Sequence, residues 1–488
     1  MSSTETIQNT SAASADEIQR MLDEKLALQR AAVEKEPYPE LAVRKDRLQR
    51  ALDATLKNEK RIVEATQADF GHRPELTVLL ADLMFPVAAL KHAIKNVDRW
   101  VRPEKRRADF PMNLLGAKAY VFYQPLGVVG IVAPWNLPFG LGYGPLAGVL
   151  AAGNRAMIKP SELTPATSQL MEDITAEVFD PDEVTVVQGG VDVASRFSAL
   201  PFDHLIFTGS APVARHVMRA AADNLTPVTL ELGGKAPVII AEGADLDVAV
   251  EKIVNYKMGN AGQACMGIDH VMVHHSDRDK FVEILKSKMA EFFPDYAHNP
   301  DVCDVFLPNQ RNRLAGLVKD AAERGAKIDL IGEYDLEKLA ETWKFPLALV
   351  IDPPQDAEVM KDEIFGPVLP IISYDTLETV VERVNSGERP LALYFLGGNK
   401  EQQEYLLRNT WSGGVTFDDI MLHALTQDLP FGGVGHSGMG RYGGHAGFKT
   451  FSNPKAVAHP PKVNLIKMNP PYNDKMSAMI RKFMGIKE

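Results

Sequence analysis

Short apolar runs of strand length alternate with helical text along the middle of this chain, and that alternation constrains its fold more than any other feature. Val128–Val132, Ala156–Ile158, Val184–Val187 and Leu205–Phe207 are such runs, with Pro165–Val178 as a helical segment among them and Val213–Ala222 after the last. A strand apolar on both faces has to be covered on both faces. Helical connections do this when they carry the chain back to begin the next strand parallel to the last. The block from Tyr120 to about Ile240 therefore predicts parallel βαβ units. A second block, from Ala236 to about Val415, repeats the pattern with strands at Val238–Ile240, Val271–Val273, Ala348–Ile351 and Leu393–Leu396. Two such blocks predict an α/β protein with two α/β domains.

The flanks read differently. Leu22 and Leu26, then Leu48, Leu52 and Leu56, recur at helical spacing between charges, so Asp16–Trp100 is read as mostly helical. Met1–Ala15 is rich in Ser, Thr and Ala without periodicity and is expected to be disordered. From Asn453, prolines at 454, 460, 461, 470 and 471 predict an extended tail. Met476, Met479, Ile480, Phe483 and Met484 then follow amphipathic helical spacing beside Lys475, Arg481 and Lys482. Packing of that helix on its own protein is the expectation, with a membrane surface as the alternative.

Composition narrows the function. A chain of 488 residues, 45% hydrophobic, builds its core without disulfide staples, and its two cysteines, Cys265 and Cys303, exclude a disulfide framework. With 53 basic against 64 acidic residues the formal net charge is −11, which argues against nucleic acid as a partner. The first basic residue is Arg20, and the apolar stretch Leu126–Pro134 is too short to cross a bilayer. No transmembrane segment and a cytoplasmic location are therefore expected.

Several residues carry chemistry. Cys265 closes Gly259-Asn260-Ala261-Gly262-Gln263-Ala264-Cys265, where small residues leave a ligand room to approach the sulfur. A lone cysteine is more often an inert buried residue, and the segment alone leaves both readings open. Cys303, between Val302 and Asp304, reads as structural because acidic neighbours raise a thiol pKa. Glu231 follows the run Val228–Leu230 and precedes two glycines, a place for a general base or for a solvated strand-end carboxylate. Asn136, held between Pro134 and Pro138, offers an amide donor to an oxyanion or caps a turn. Lys159 and Glu162 end one strand with groups suited to a ribose, and Phe207-Thr208-Gly209-Ser210 opens a helix where N–H groups meet pyrophosphate.

In order along the chain stand Pro134-Trp135-Asn136, Phe207-Thr208-Gly209-Ser210, Glu231-Leu232-Gly233-Gly234-Lys235, Gly262-Gln263-Ala264-Cys265 and Glu363-Ile364-Phe365-Gly366-Pro367-Val368. Together they resemble the aldehyde dehydrogenase superfamily over about residues 20–460. Leu429–Gly435 and Ser437–Gly440 resemble its class 3 branch, and within it the chain is similar to bacterial coniferyl aldehyde dehydrogenases. The resemblance implies a Rossmann-type cofactor domain, an α/β catalytic domain and a small oligomerisation element. The expected division is 16–105 with 126–231 for the cofactor domain, 232–417 for the catalytic domain, and 106–125 with 418–488 for the rest. It further implies NAD as cofactor, with NADP possible, an aromatic aldehyde such as coniferyl aldehyde or a medium-chain aliphatic aldehyde as substrate, and a homodimer.

The implied roles are nucleophile for Cys265, general base for Glu231 and oxyanion donor for Asn136. Lys159 and Glu162 would meet the adenosine ribose, Gly209 and Ser210 the pyrophosphate, and Glu363 the nicotinamide ribose. Phe365 would flank the nicotinamide, with Trp135 counted among the cofactor contacts. Three positions depart from the family pattern: Ala214 in place of a glycine, Met266-Gly267-Ile268 after the nucleophile, and Gly443 in place of a histidine. Tyr123, Tyr143 and Phe417 are candidates for an aromatic substrate tunnel or for the core. An acylating enzyme using coenzyme A, which does not need Glu231, and a non-catalytic crystallin-like relative are the alternatives.

Overall fold

The computed structural model describes residues 14–110, 112–332, 334–461, 470–472 and 474–486. Helix Ala15–Lys35 starts on a capping box in which Ser14 Oγ accepts the Glu17 N–H and the Glu17 carboxylate accepts the Ser14 N–H. The expected disordered start therefore gives way to helix at its last two residues, and the rest of it lies outside the described residues. Leu22, Leu26, Leu48 and Leu52 are buried as their spacing predicts, whereas Leu56 is exposed.

The chain forms two compact units, one of Met1–Trp100 with Gln124–Asn453 and one of Val101–Tyr123 with Pro454–Glu488. Strands are numbered here in chain order. In the smaller unit β1 (Glu104–Arg106), β2 (Lys118–Pro125) and β16 (Ser452–His459) make a three-stranded sheet. The extended tail is thus a strand as far as His459. Helix Asp474–Phe483 forms as the spacing predicts, with none of its residues fully buried and Met476 and Ala478 partly covered.

The larger unit holds two sheets. Strands β3 (Val128–Val132), β4 (Arg155–Lys159), β5 (Val184–Val186), β6 (His204–Thr208), β7 (Val228–Glu231) and β15 (Gly438–Met439) lie in the order β15-β7-β6-β3-β4-β5. Only β15 runs antiparallel to its neighbour. From β3 the chain winds out through β4 and β5, then returns to the other side of β3 for β6 and β7. That reversal is the doubly wound order whose ligands bind beyond the carboxyl ends of the strands at the switch point. Strands β8 (Pro237–Ile240), β9 (His270–His274), β10 (Lys327–Leu330), β11 (Ala348–Ile351), β12 (Val368–Tyr374), β13 (Ala392–Leu396) and β14 (Gly414–Phe417) make a seven-stranded sheet. Their order is β10-β11-β12-β9-β8-β13-β14, with β10 antiparallel to β11. Strand β12 escaped the sequence reading because Pro370 interrupts its apolar run. Burial of Val368, Leu369, Ile371 and Ile372 on both faces outweighs the ladder donor that the proline lacks.

A longer apolar stretch than Leu126–Pro134 is helical Glu75–Trp100, the only segment among the described residues long and apolar enough to cross a membrane by length and composition. Its buried face holds Leu83, Leu90, Val97 and Trp100. Asp82 in this segment is fully buried and pairs with Arg73 at 2.9 Å. The other Asp82 oxygen accepts the Phe139 and Gly140 N–H groups, each at 3.0 Å. It thereby caps helix Pro138–Tyr143, which begins two residues after Asn136. Asp82→Ala strands the Arg73 guanidinium without its counter-charge, a loss of about 3–5 kcal/mol. Urea unfolding should show it as a lower midpoint; a change under about 1 kcal/mol would mean water replaces the carboxylate.

Candidate active site

Two sheet edges face one another across a cleft of about 1170 Å³. One wall is built from the segments that leave the doubly wound strands: Val132–Asn136 after β3, Lys159–Leu163 after β4, Thr208–Ser210 after β6, and Glu231 at the end of β7. The other is built from the segments that enter strands of the seven-stranded sheet: Gly233–Lys235 before β8, Cys265 before β9, and Lys361–Glu363 with Phe365 before β12. Asn136, Trp135, Lys159, Glu162, Gly209, Ser210, Glu231, Cys265, Glu363 and Phe365 all line it, so the residues assigned catalytic and cofactor roles from the sequence are brought to one place.

Cys265 sits after helix Leu246–Met258 and a tight turn, Gly259–Gly262. Asn260, Ala261 and Gly262 take φ of 53°, 52° and 71°. At Gly262 a Cβ would stand 2.6 Å from the Gly366 carbonyl oxygen, so only glycine fits. Beyond the thiol, the buried Tyr394 hydroxyl donates to the Met266 carbonyl at 2.8 Å. Burial, and then the charges of Glu363 and Glu231, push the Cys265 thiol up to about 12, against opposing N–H groups of Met266 and Cys265.

Glu231 is fixed through its backbone, opposite Thr208 of β6 and Gly438 of β15. Its side chain is 2% exposed, and neither carboxyl oxygen has a hydrogen-bond partner among the described residues. Burial pushes it well above the usual carboxylate range, with Arg441 opposing. Asn136 is also buried and donates one amide hydrogen to the Gln263 carbonyl at 3.1 Å, which joins its loop to the cysteine loop.

The rest of the cleft fits a dinucleotide. Lys159 Nζ is buried and donates to the Pro160 carbonyl at 2.6 Å, with the half-exposed Glu162 carboxylate 3.4 Å away. Ser210 stands at the start of helix Ala211–Ala222 without capping it through its side chain, leaving first-turn N–H groups for an anion. The Glu363 carboxylate accepts from the Gly234 N–H and occupies the space a side chain on Gly233 would need. Burial, with Asp269 nearby, raises Glu363 to about 8. The Trp135 ring meets Phe365 edge-on at 5.7 Å and Phe306 at 5.6 Å.

The aldehyde dehydrogenase family model matches residues 2–457. The chain belongs to the aldehyde dehydrogenase family. It is 43% identical over 479 residues to a probable coniferyl aldehyde dehydrogenase of Caulobacter vibrioides, covering 97% of this chain and 98% of that one. Against the coniferyl aldehyde dehydrogenase of a Pseudomonas species it is 43% identical over 449 residues, 90% and 91% of the two chains. Among solved structures it superposes on substrate-bound Staphylococcus aureus AldH with a TM-score of 0.87 at 32% identity, covering 95% and 99% of the chains. The aldehyde dehydrogenase of Mycobacterium tuberculosis complexed with NAD+ gives 0.81 at 27% identity, covering 93% and 92%. The chain is thus an NAD(P)-dependent aldehyde dehydrogenase with the fold of its family.

Two of the three departures noted in the sequence, Ala214 and Gly443, have local explanations. Ala214 of this aldehyde dehydrogenase packs in the core with Phe207 and Leu230 and does not line the cleft. Gly443 has φ of 89°, a conformation glycine adopts without strain. Tyr143 is fully buried and bonds Thr175 at 2.7 Å, Tyr123 bonds Glu104, and Phe417 packs on Phe395, so none of the three lines this cleft. Sequence reasoning passed over Arg313, which lines the cleft and donates to the carbonyls of Glu363 and Ile364. No local motif marks it. Lys235 and Gln263 lay inside quoted motifs but had no role assigned to them.

The two thiols predict a clear contrast. Cys265 is partly exposed on the cleft, whereas Cys303 is 1% exposed. Iodoacetamide with peptide mapping should label Cys265 alone in the native enzyme. Because only the thiolate reacts and the Cys265 thiol lies near 12, the rate should rise about tenfold per pH unit between about pH 7 and 10. Labelling of Cys303 first, or a plateau below about pH 8, would contradict the burial described.

Proposed function

We propose that this enzyme oxidises an aromatic aldehyde of the coniferyl type to its carboxylic acid, with NAD preferred over NADP. Cys265 is the nucleophile, Glu231 the general base and Asn136 the oxyanion donor. Glu231 carries the reading: a buried carboxyl with no partner on either oxygen, on the same cleft as a thiol. Such a group costs several kcal/mol to bury unpaired, and proton transfer is a reason to keep it. The names of the Caulobacter and Pseudomonas relatives support the substrate class.

The Cys265 sulfur gives up its proton to solvent and bonds the aldehyde carbon, and the carbonyl electron pair moves to oxygen. The second amide hydrogen of Asn136 and the Cys265 N–H donate to that oxyanion. The same carbon then loses a hydride, for which a nicotinamide held in the cleft would be the acceptor, and a thioester remains on Cys265. Glu231 then takes a proton from water, the hydroxyl adds to the thioester carbon, and the carbon–sulfur bond breaks to release the acid. Coenzyme A as acyl acceptor would leave Glu231 without a task.

Lys159 and Glu162 would hold the adenosine ribose, with Glu162 repelling a 2′-phosphate. Gly209, Ser210 and the helix start behind them would take the pyrophosphate. Glu363 would take the nicotinamide ribose, beside Phe365 and Trp135. We also propose a homodimer built on the smaller unit, where Phe110 and Leu114 are exposed apolar residues, and a reducing cytoplasmic setting consistent with two free thiols.

Substrate and cofactor are tested together by kcat/KM across cinnamyl, benzyl and alkyl aldehydes with each dinucleotide. Cinnamyl aldehydes with NAD should rank first, and equal values for NAD and NADP would mean Glu162 does not face the ribose. The base is tested by Glu231→Gln, which keeps the shape and removes the proton acceptor. Steady turnover should fall by about 10²–10⁴-fold, leaving at most one NADH per site and an acyl-enzyme visible by intact mass. Normal turnover would assign the base elsewhere, and a missing burst would mean Glu231 also deprotonates Cys265.

A further inference from the structure

Three buried carboxamides interlock beneath the Cys265 loop. Asn260 Nδ2 donates to the main-chain oxygens of Asn136 at 3.1 Å and Gln263 at 3.0 Å. Asn136 Nδ2 donates to that same Gln263 oxygen at 3.1 Å. Gln263 Nε2 in turn donates to the main-chain oxygens of Asn260 at 3.0 Å and Asp304 at 3.2 Å. The Cys303 thiol donates to Asn260 Oδ1 at 3.5 Å, so the whole Asn260 side chain is engaged. Asn136, Asn260 and Gln263 are 4%, 4% and 0% exposed.

The backbone here is strained. Asn260, Ala261 and Gly262 are left-handed in succession, which costs about 1–2 kcal/mol for a residue such as alanine and least for asparagine and glycine. Strain of this kind persists where the surroundings over-determine the conformation, and it concentrates at functional sites. This turn throws the chain towards the cleft just before Cys265. Released from its hydrogen bonds, it has a reason to relax and carry the sulfur with it.

We propose that Asn260 is a positioning residue that sets the Cys265 sulfur against the Asn136 amide. One side chain grips both backbones, at Asn136 and at Gln263. The shared Gln263 oxygen also orients the Asn136 carboxamide, so that its second hydrogen is directed by the same knot. A reacting carbonyl must place its carbon at the sulfur and its oxygen at that amide. A misplacement of about 1 Å between them costs on the order of 10²-fold in rate. The inference rests on the roles proposed above for Cys265 and Asn136.

Two variants of the full-length enzyme test it. Asn260→Asp keeps the volume and tolerates a left-handed backbone but loses the amide donors. Asn260→Gly keeps the backbone conformation and has no side chain, and it stands in should the aspartate variant not fold. Active sites are counted by iodoacetamide incorporation at Cys265, a reaction that needs no oxyanion donor. Per labelled site, single-turnover NADH formation should fall about 10²-fold, with the alkylation rate, the NAD Kd and the aldehyde KM within about threefold of wild type. A purely structural role would instead lower Tm and the number of labelled sites and leave the rate per site unchanged, which overturns the proposal. Cys265→Ala separates the two levels: if it still turns over, the site reading itself fails. If it is inactive while both Asn260 variants keep the wild-type rate per site, only this inference fails.

Discussion

The ion pair between Lys235 and Asp269 joins the parts on which the rest of the molecule depends. Lys235 leaves the doubly wound sheet four residues after Glu231 and two before β8 begins. Its ammonium meets Asp269 at 2.6 Å and also donates to the carbonyls of Val359 at 2.9 Å and Asp362 at 3.0 Å. Asp269, four residues after Cys265, spends its other oxygen on the Ile364 N–H at 2.8 Å. One ion pair, buried on its Asp269 side, thus fixes the crossing between the sheets, the cysteine loop and the Glu363 loop. Burial alone would raise the Asp269 carboxyl; Lys235 and His270 outweigh it and hold the carboxyl well below its usual range. The negative charge stays in place, and the N–H it holds stays held.

Of the three acidic groups Glu363, Cys265 and Glu231, that fixed charge acts on Glu363. Glu363 is raised to about 8 by burial and by Asp269, Cys265 to about 12 by burial and the two glutamates, and Glu231 well above its ordinary range by burial. At neutral pH Glu363 and the Cys265 thiol therefore hold their protons. The thiol is not stored as a thiolate. Generating the nucleophile then needs a proton acceptor, and Glu363 and Glu231 are the carboxyls whose charges bear on the thiol. A protected thiol also resists the oxidation that a permanent thiolate invites.

Most of the sheet framework was legible because its strands are apolar on both faces, a signal that survives without tertiary context. The same reasoning lost β12 to one proline and β15 to its two-residue length, and it did not pick out β10 and β14, four-residue strands with no continuous apolar run. The site was legible as residue types in motifs: all ten named residues line one cleft. Its wiring was not. Asn260 reaches back to Asn136, and Arg313 reaches forward to the Glu363 loop, across separations no local pattern encodes. Cys303 reads as structural from its acidic neighbours and is indeed buried. That it touches Asn260, and through it the nucleophile loop, is a property of packing alone.

The site is also made by what its glycines leave out. A side chain on Gly233 would occupy the place of the Glu363 carboxylate. One on Gly432 would stand 3.0 Å from Glu231 Oε1, and one on Gly262 would meet the Gly366 carbonyl under the cysteine turn. Each of the three borders a different group: the proposed ribose ligand, the proposed base and the proposed nucleophile. Carboxyls as poorly solvated as Glu231 and Glu363 keep their proton-handling character only while water and other polar groups are excluded, and close backbone approach excludes them without adding a side chain that would displace the carboxyl. The glycine motifs that made the family resemblance recognisable in the sequence are therefore part of the electrostatics: they let the backbone close around acidic groups, and that closeness raises their pKa values.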